Sequence, residues 1–153
     1  MKQLLVLMVC LVLIAFVGCD DSEITAPDFS NTAGSTTSHS GCKSSGSGGS
    51  GDDETRDCVR WKYSYNGTLT VTHINSLHNC CPGPMNADIT IGDGEIIIVE
   101  SFENGCACSC LFDLEHQIVN LPEDVYELVV YGVNHIRLTI DLEEERSGEK
   151  CAG

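Results

Sequence analysis

Positive charge is scarce in this chain: 8 Lys and Arg stand against 23 Asp and Glu, a formal net charge of −15. A surface of that sign repels phosphate backbones and excludes nucleic acid as a partner. It also disfavours lying flat on anionic lipid. The acids are scattered, and no Asp-x-Asp-x-Asp-Gly loop gathers them into a calcium site, so they read as a solvated surface. No apolar run reaches the ~20 residues of a membrane-spanning helix. Gly-x-Ser-x-Gly, a phosphate loop and a close carboxylate pair are all missing, and with them the usual signatures of an enzyme. Cys-x-x-Cys is missing too, which removes both the redox motif and the paired spacing of zinc fingers and ribbons. The expectation is a protein that is not an enzyme and holds no cofactor.

What is present begins at the N-terminus. Lys2 precedes an apolar run from Leu4 to Val17, the layout of a secretory signal peptide. The run ends Phe16-Val17-Gly18-Cys19, which resembles the lipobox of bacterial lipoproteins. That resemblance implies cleavage after Gly18 and a diacylglyceryl thioether plus an acylated amine on Cys19, with Phe16 standing where the family usually has Leu. Acyl chains stabilise anchoring by ~0.8 kcal/mol per buried CH₂, so a membrane becomes a partner through its lipid alone. Cleavage removes Lys2 and no other charge, leaving a net −16. Asp20 after the lipid cysteine resembles the inner-membrane retention signal of some Gram-negative lipoproteins. The expected location is the bacterial cell envelope, with the rest of the chain outside the cytoplasm.

Residues 19–56 read as the lipidated cysteine and a flexible linker. The segment Ser44-Ser45-Gly46-Ser47-Gly48-Gly49-Ser50-Gly51 cannot bury enough apolar surface to fold. Some 35 residues of this kind have a root-mean-square reach of roughly 30–35 Å, which makes the segment a spacer from the bilayer. His39 reads as solvated. Cys42 is the anomaly, since an unpaired thiol in an exposed linker is a liability outside the cell.

Residues 57–142 change to period-two alternation with turn signals at short intervals. Val59, Trp61, Tyr63 and Tyr65 form the inner face of a first strand. Asn66-Gly67 marks a hairpin of type I′, a better account of Asn66-Gly67-Thr68 than a glycosylation sequon. Thr68 to about Ser76, then Ala87 to Ile91, follow as strands. The unbroken run Ile96–Val99 suggests a central strand covered on both faces. A cysteine strand, Leu114–Leu121, Tyr126–Val130 and Ile136–Leu142 complete the set. The expected fold is all-β: a small disulfide-rich β-sandwich, immunoglobulin-like, of about seven or eight short antiparallel strands. Residues 143–153 read as a charged tail. Leu121-Pro122-x-x-x-Tyr126 resembles the tyrosine corner of immunoglobulin-like sandwiches. His73-x-Asn75, Asn79-Cys80-Cys81-Pro82-Gly83, Cys106-x-Cys108-x-Cys110-x-Phe112-Asp113-Leu114 and Leu121-Pro122 together resemble a group of small bacterial exported proteins. That likeness covers roughly residues 58–131 and implies a fold and an address, with no activity.

With Cys10 in the signal and Cys19 under lipid, eight cysteines remain: Cys42, Cys58, Cys80, Cys81, Cys106, Cys108, Cys110 and Cys151. An even number in an oxidising compartment, within a domain too small for a large core, points to four disulfides of ~2–4 kcal/mol each. Cys106, Cys108 and Cys110 at i, i+2 and i+4 share one face of a strand and must each reach a different element. Cys80, Cys81 and Cys58 are their natural partners, with Cys42 and Cys151 joining the two tails to the domain. The competing expectation is zinc or copper held by Cys106, Cys108 and Cys110 with Cys80, Cys81 and His73. His73 shares a face with Leu69 and Val71 and reads as hydrogen-bonded and half-buried. His116 and His135 read as solvated, and the acids as turn or exposed-strand residues. The functional expectation is a lipid-anchored, non-catalytic binding or structural module. Its partner would be an unidentified envelope or extracellular protein or glycan, met by loops such as Ser76–Met85.

Overall fold

The computed structural model of the chain describes residues 36–43, 55–102 and 105–152. The signal segment, Cys19 and most of the linker lie outside the described residues. The described part is all-β: β1 (Thr36–His39), β2 (Cys58–Ser64), β3 (Thr68–Asn79), β4 (Met85–Gly92), β5 (Glu95–Phe102), β6 (Ser109–Ile118), β7 (Val125–Tyr131), β8 (His135–Asp141) and β9 (Ser147–Cys151). One sheet has the order β1-β6-β3-β2-β9 and the other β4-β5-β7-β8. Their inner faces pack together as a sandwich, as the alternation requires. Among the described residues nine strands replace the expected seven or eight, because the cysteine strand and Leu114–Ile118 are one element and both flanking segments add a strand. Antiparallel pairing also has an exception: β5 and β7 are parallel neighbours. The chain leaves β5, crosses to the other sheet as β6, and returns beside β5, which is the long crossover a parallel pair needs.

Both flanking strands fall where composition pointed to linker or tail. β1 pairs with β6 from Thr36↔Gln117 to His39↔Leu114, so residues 36–43 are part of the sheet. β9 pairs with β2 from Cys58↔Cys151 to Lys62↔Ser147, so the folded unit runs past residue 142. Neither segment has an apolar stripe. Backbone pairing to a sheet edge and one disulfide each hold them, and hydropathy patterning does not register either. Gly148 is required in β9, because a Cβ there would overlap the Trp61 ring opposite it.

The turns differ in type from the sequence expectation. Ser64 pairs with Thr68, so the β2–β3 loop has three residues and only Gly67 takes a positive φ, 76°. This is the longer hairpin closed by glycine rather than type I′, and it turns Tyr65 out to 90% exposure. The type I′ geometry occurs instead at Asp93 (φ 50°) and Gly94 (φ 75°) between β4 and β5. Val59, Trp61 and Tyr63 do face inward, with Leu69, Val71, Ile96, Ile98, Ile118, Leu128, Val130, Ile136, Leu138 and Ile140 in one cluster drawn from both sheets. Each such burial stabilises by about 1.5–3 kcal/mol. The Ile96–Val99 run is covered on one face only, since Val99 is 42% exposed. Tyr126 donates its hydroxyl proton to the Pro122 carbonyl, 3.2 Å away, the bond of a tyrosine corner.

Candidate functional site

A β-bulge positions the polar centre of the molecule. Along β3 the inward residues are Leu69, Val71 and His73, opposite Ile118, His116 and Leu114 of β6. Between His73 and Ser76 the register shifts by one residue, and Asn75 takes φ 60° to make the step. An inserted residue reverses which parity faces the core. Ser76 and His78 therefore continue the inner face beyond the bulge, while β6 keeps Cys110, Phe112, Leu114 and His116 inward throughout. From the other sheet, β5 supplies Ile96, Ile98 and then Glu100 on the same inner face.

Glu100 reaches across the sandwich and is the hub. Its carboxylate accepts from His73 Nδ1 at 2.8 and 2.9 Å, from His116 Nε2 at 2.9 Å and from Ser76 Oγ at 3.2 Å. His73 Nε2 lies 2.6 Å from Asp57 Oδ1, and Asn134 Nδ2 donates to Asp57 Oδ2 at 2.9 Å. His73 thus sits between two carboxylates with both ring nitrogens donating, an imidazolium. Burial opposes that charge, but the two carboxylates outweigh it and raise its pKa to about 9. Glu100 shows the converse: burial works against its charge, yet the donated imidazole protons hold its pKa at about 2. The same His73 contact, with Asn134, holds Asp57 below the usual carboxylate range against desolvation.

His78 completes the cluster differently. Its Nε2 is 2.7 Å from Ser76 Oγ and 3.7 Å from Glu100, while its Nδ1 is buried without a partner. Ser76 has one proton and gives it to Glu100, so His78 Nε2 must carry its own and donate to Ser76. Burial accordingly lowers the His78 pKa and favours the neutral ring. Ser76 and His78 resemble two members of a nucleophilic triad in spacing only. No acid meets His78 Nδ1, and Ser76 is wholly buried with its proton engaged elsewhere. Gly132 seals the cluster, since a Cβ there would stand 2.7 Å from His73 Cε1. His73 and His116 are fully buried. This cluster ties one sheet to the other.

Several sequence expectations are corrected here. His116 is buried rather than solvated, and Glu100 is a core residue rather than an exposed strand acid. His73 is fully rather than half buried. Both signals existed: His116 stands between Leu114 and Ile118 in the alternation, and Glu100 follows Ile96 and Ile98 at the same parity. His135 is exposed and His39 is exposed, as expected.

All eight remaining cysteines are in disulfides: Cys42–Cys110, Cys58–Cys151, Cys80–Cys108 and Cys81–Cys106. Cys80 and Cys81 do pair with the Cys-x-Cys segment. Cys110, however, takes Cys42 from the segment just after β1, and Cys58 takes Cys151 across β2 and β9. Only Cys110 lies in β6; Cys106 and Cys108 precede the strand, so the three do not share one strand face. Of the residues in the alternative metal expectation, the sulfurs of Cys80, Cys81 and Cys108 lie within 4.8 Å of one another; all of its cysteines are bridged, and both nitrogens of His73 meet carboxylates. Four disulfides are the mark of an oxidising compartment outside the cytoplasm. Fold and site together define a disulfide-stapled β-sandwich with a closed ionic centre. No family model, no curated protein and no solved structure matches this chain.

Proposed function

We propose that the chain is exported, held in the cell envelope by lipid on Cys19, and acts there as a non-catalytic binding or structural module. The observation that carries the exported, stapled-module reading is the complete use of the eight cysteines beyond Cys19 in bridges; the anchor rests on the lipobox resemblance of Phe16-Val17-Gly18-Cys19. Those bridges secure both ends of the folded unit, β1 through Cys42 and β9 through Cys151, as suits a small domain working outside the cell. The closed Glu100 cluster supports the absence of catalysis, because its imidazoles and carboxylates spend their hydrogen bonds on each other. The acidic surface keeps the domain off anionic headgroups. A partner would then meet loops or sheet edges rather than a cleft.

Detergent phase partition of the full chain tests the anchor, with Cys19→Ser as the control. The unaltered protein is expected in the detergent phase and the variant in the aqueous phase. A wild-type protein found in the aqueous phase overturns the anchor. Thiol titration under denaturing conditions tests the module: no free thiol is expected, and several would overturn the stapled scaffold.

A further inference from the structure

The four bridges are not equivalent. Cys58 and Cys110 are 5% and 4% exposed, so the bridges to Cys151 and Cys42 each have a buried end. In the other two, Cys81, Cys106 and Cys108 are exposed and Cys80 is half-buried. These two bridges also lie against each other: the sulfurs of Cys80, Cys81 and Cys108 are all within 4.8 Å of one another, and Cys106 is bonded to Cys81. Four sulfurs therefore converge on one surface corner, at the end of β3 and the approach to β6.

Contacts that do not involve sulfur hold that corner in place. Asn79 Oδ1 accepts the backbone N–H of Cys81 at 2.9 Å and of Cys106 at 3.1 Å, and Asn79 Nδ2 donates to the Cys106 carbonyl. The Cys80 N–H donates to the Cys108 carbonyl at 3.2 Å. The ladder continues beside it through Asn79↔Ser109 and His78↔Cys110. Gly105 packs so closely on the Cys81 carbonyl that a Cβ would stand 2.7 Å from that oxygen. If both bridges opened, these contacts would keep the four sulfurs gathered.

We infer that the Cys80–Cys81–Cys106–Cys108 corner is a reductively unmasked site for a soft, thiolate-seeking cation, zinc(II) or copper(I). A dithiol reductant opens it: for each bridge one dithiol supplies two electrons and two protons and leaves as its own cyclic disulfide. The four thiols formed lose protons as the cation binds. Thiolates around a tetrahedral zinc, each at ~2.3 Å, stand about 3.8 Å from one another; the sulfurs of Cys80, Cys81 and Cys108 already lie within 4.8 Å of one another, and Cys106, released from Cys81, is the fourth ligand. Exposure decides which bridges open first, because thiol–disulfide exchange needs in-line access to a sulfur. The oxidised corner is a staple, and the reduced corner is a chelate. This assignment is independent of the lipid anchor.

Graded dithiothreitol treatment of the full chain under anaerobic conditions, followed by alkylation and peptide mapping, reads the order of opening. Cys80, Cys81, Cys106 and Cys108 are expected to label first, while far-ultraviolet circular dichroism keeps its β signature. After removal of the reductant, zinc(II) or copper(I) offered against a chromophoric chelator should bind at one equivalent, and the oxidised protein should bind none. The double variant Cys81→Ser/Cys106→Ser, which keeps the Cys80–Cys108 bridge, should lose at least 100-fold in affinity once reduced. Should that variant fail to fold, alkylating those two thiols in the partly reduced wild type makes the same comparison. Simultaneous labelling of all eight cysteines with loss of the β signature would overturn the inference. So would a folded, four-thiol protein that takes up neither cation.

Discussion

The two ends of the sandwich are held by different forces. One end is the large apolar cluster of β2, β3, β5, β7 and β8 with Ile118 of β6, in which no cysteine takes part. The other is a small cluster of buried Met85, Cys110, Phe112 and Leu114, with Cys80 and Phe102 packed on them. Between the two lies the Glu100 cluster. Three disulfides surround the small cluster, and the fourth starts at Cys58, next to Asp57 of the polar layer. Where apolar area is abundant, one bridge, Cys58–Cys151, ties the edge strand β9 to β2, and the apolar cluster itself contains no cysteine. Where it is sparse, bridges and buried charge pairs supply the rest. Buried charges are stabilising only while every partner is present, because each carries a desolvation cost that the others offset. The two ends should therefore respond to opposite kinds of insult.

The largest single-residue effect is expected at the polar layer. Glu100→Ala takes one of its two carboxylates from the buried His73 imidazolium and leaves its Nδ1–H, the His116 Nε2–H and the Ser76 hydroxyl without their acceptor, and should cost about 3–5 kcal/mol in urea unfolding. Replacing Glu100, His73 and His116 together by Leu should cost less than Glu100→Ala alone, since no fully buried imidazolium is left short of a carboxylate and Asp57, which loses His73, keeps Asn134 as a donor. A triple variant less stable than the single would show that the cluster stabilises by more than mutual compensation. The pH profile follows from the same groups. His73 titrates at about 9 when folded against 6.5 ordinarily. Its contribution is full below 6.5 and disappears as pH rises towards 9. Glu100 titrates at about 2 against 4.5, so its contribution is full above 4.5 and is lost as pH falls to about 2. His78, held neutral by burial, begins to oppose folding as pH drops below its ordinary value. Stability should therefore peak near the upper end of the window from 4.5 to 6.5.

This layer is also where sequence reading and structure part most. The aliphatic end is legible because period two in Tyr126–Val130 and Ile136–Ile140 maps directly onto one inner face. The tyrosine corner at Tyr126 is legible too, since its hydrogen bond is local. The polar layer depends on long-range pairing. Asn75 reverses the parity of β3, and nothing in its neighbourhood announces a bulge. Glu100 reads as solvated because an acid in a strand usually is, and only the opposing sheet supplies the imidazoles that make its burial tolerable. The cysteines were legible as a set but not as pairs: Cys42 and Cys151 find partners through edge strands that carry no hydrophobic signal.

At the aliphatic end, Leu128→Ala removes a fully buried side chain from the centre of the core. The expected cost is about 3 kcal/mol, from lost transfer energy and the cavity left behind. Unlike Glu100→Ala, this variant should keep the wild-type pH profile, merely displaced downward. A profile that flattened instead would mean the two ends are mechanically coupled and the comparison does not hold. Gly132→Ala is intermediate, at about 1–3 kcal/mol. Its Cβ would press on His73 Cε1, and His73 cannot yield without breaking from Asp57 or Glu100. Its signature should be a lowered His73 pKa by NMR titration, which a purely apolar clash elsewhere would not give.

The smallest effect is expected from an ion pair of the same chemistry placed at the surface. Lys43 Nζ lies 2.5 Å from Asp113 Oδ1 and 3.0 Å from Asn75 Oδ1, with the Lys43 and Asp113 side chains 38% and 33% exposed. Water can replace either partner there, so Lys43→Ala should cost roughly 0–1 kcal/mol. Asp113 would still accept from the Asn75 backbone N–H at 3.0 Å, and the Lys43 backbone would still donate to Leu111 at 2.8 Å. The bulge should therefore keep its shape. Raising salt to 1 M should remove most of whatever cost is measured, because screening acts on exposed charges. The Glu100→Ala cost should change little under the same salt. A Lys43→Ala loss as large as that of Glu100→Ala would mean that the outer face of this sheet is covered, contrary to its exposure here.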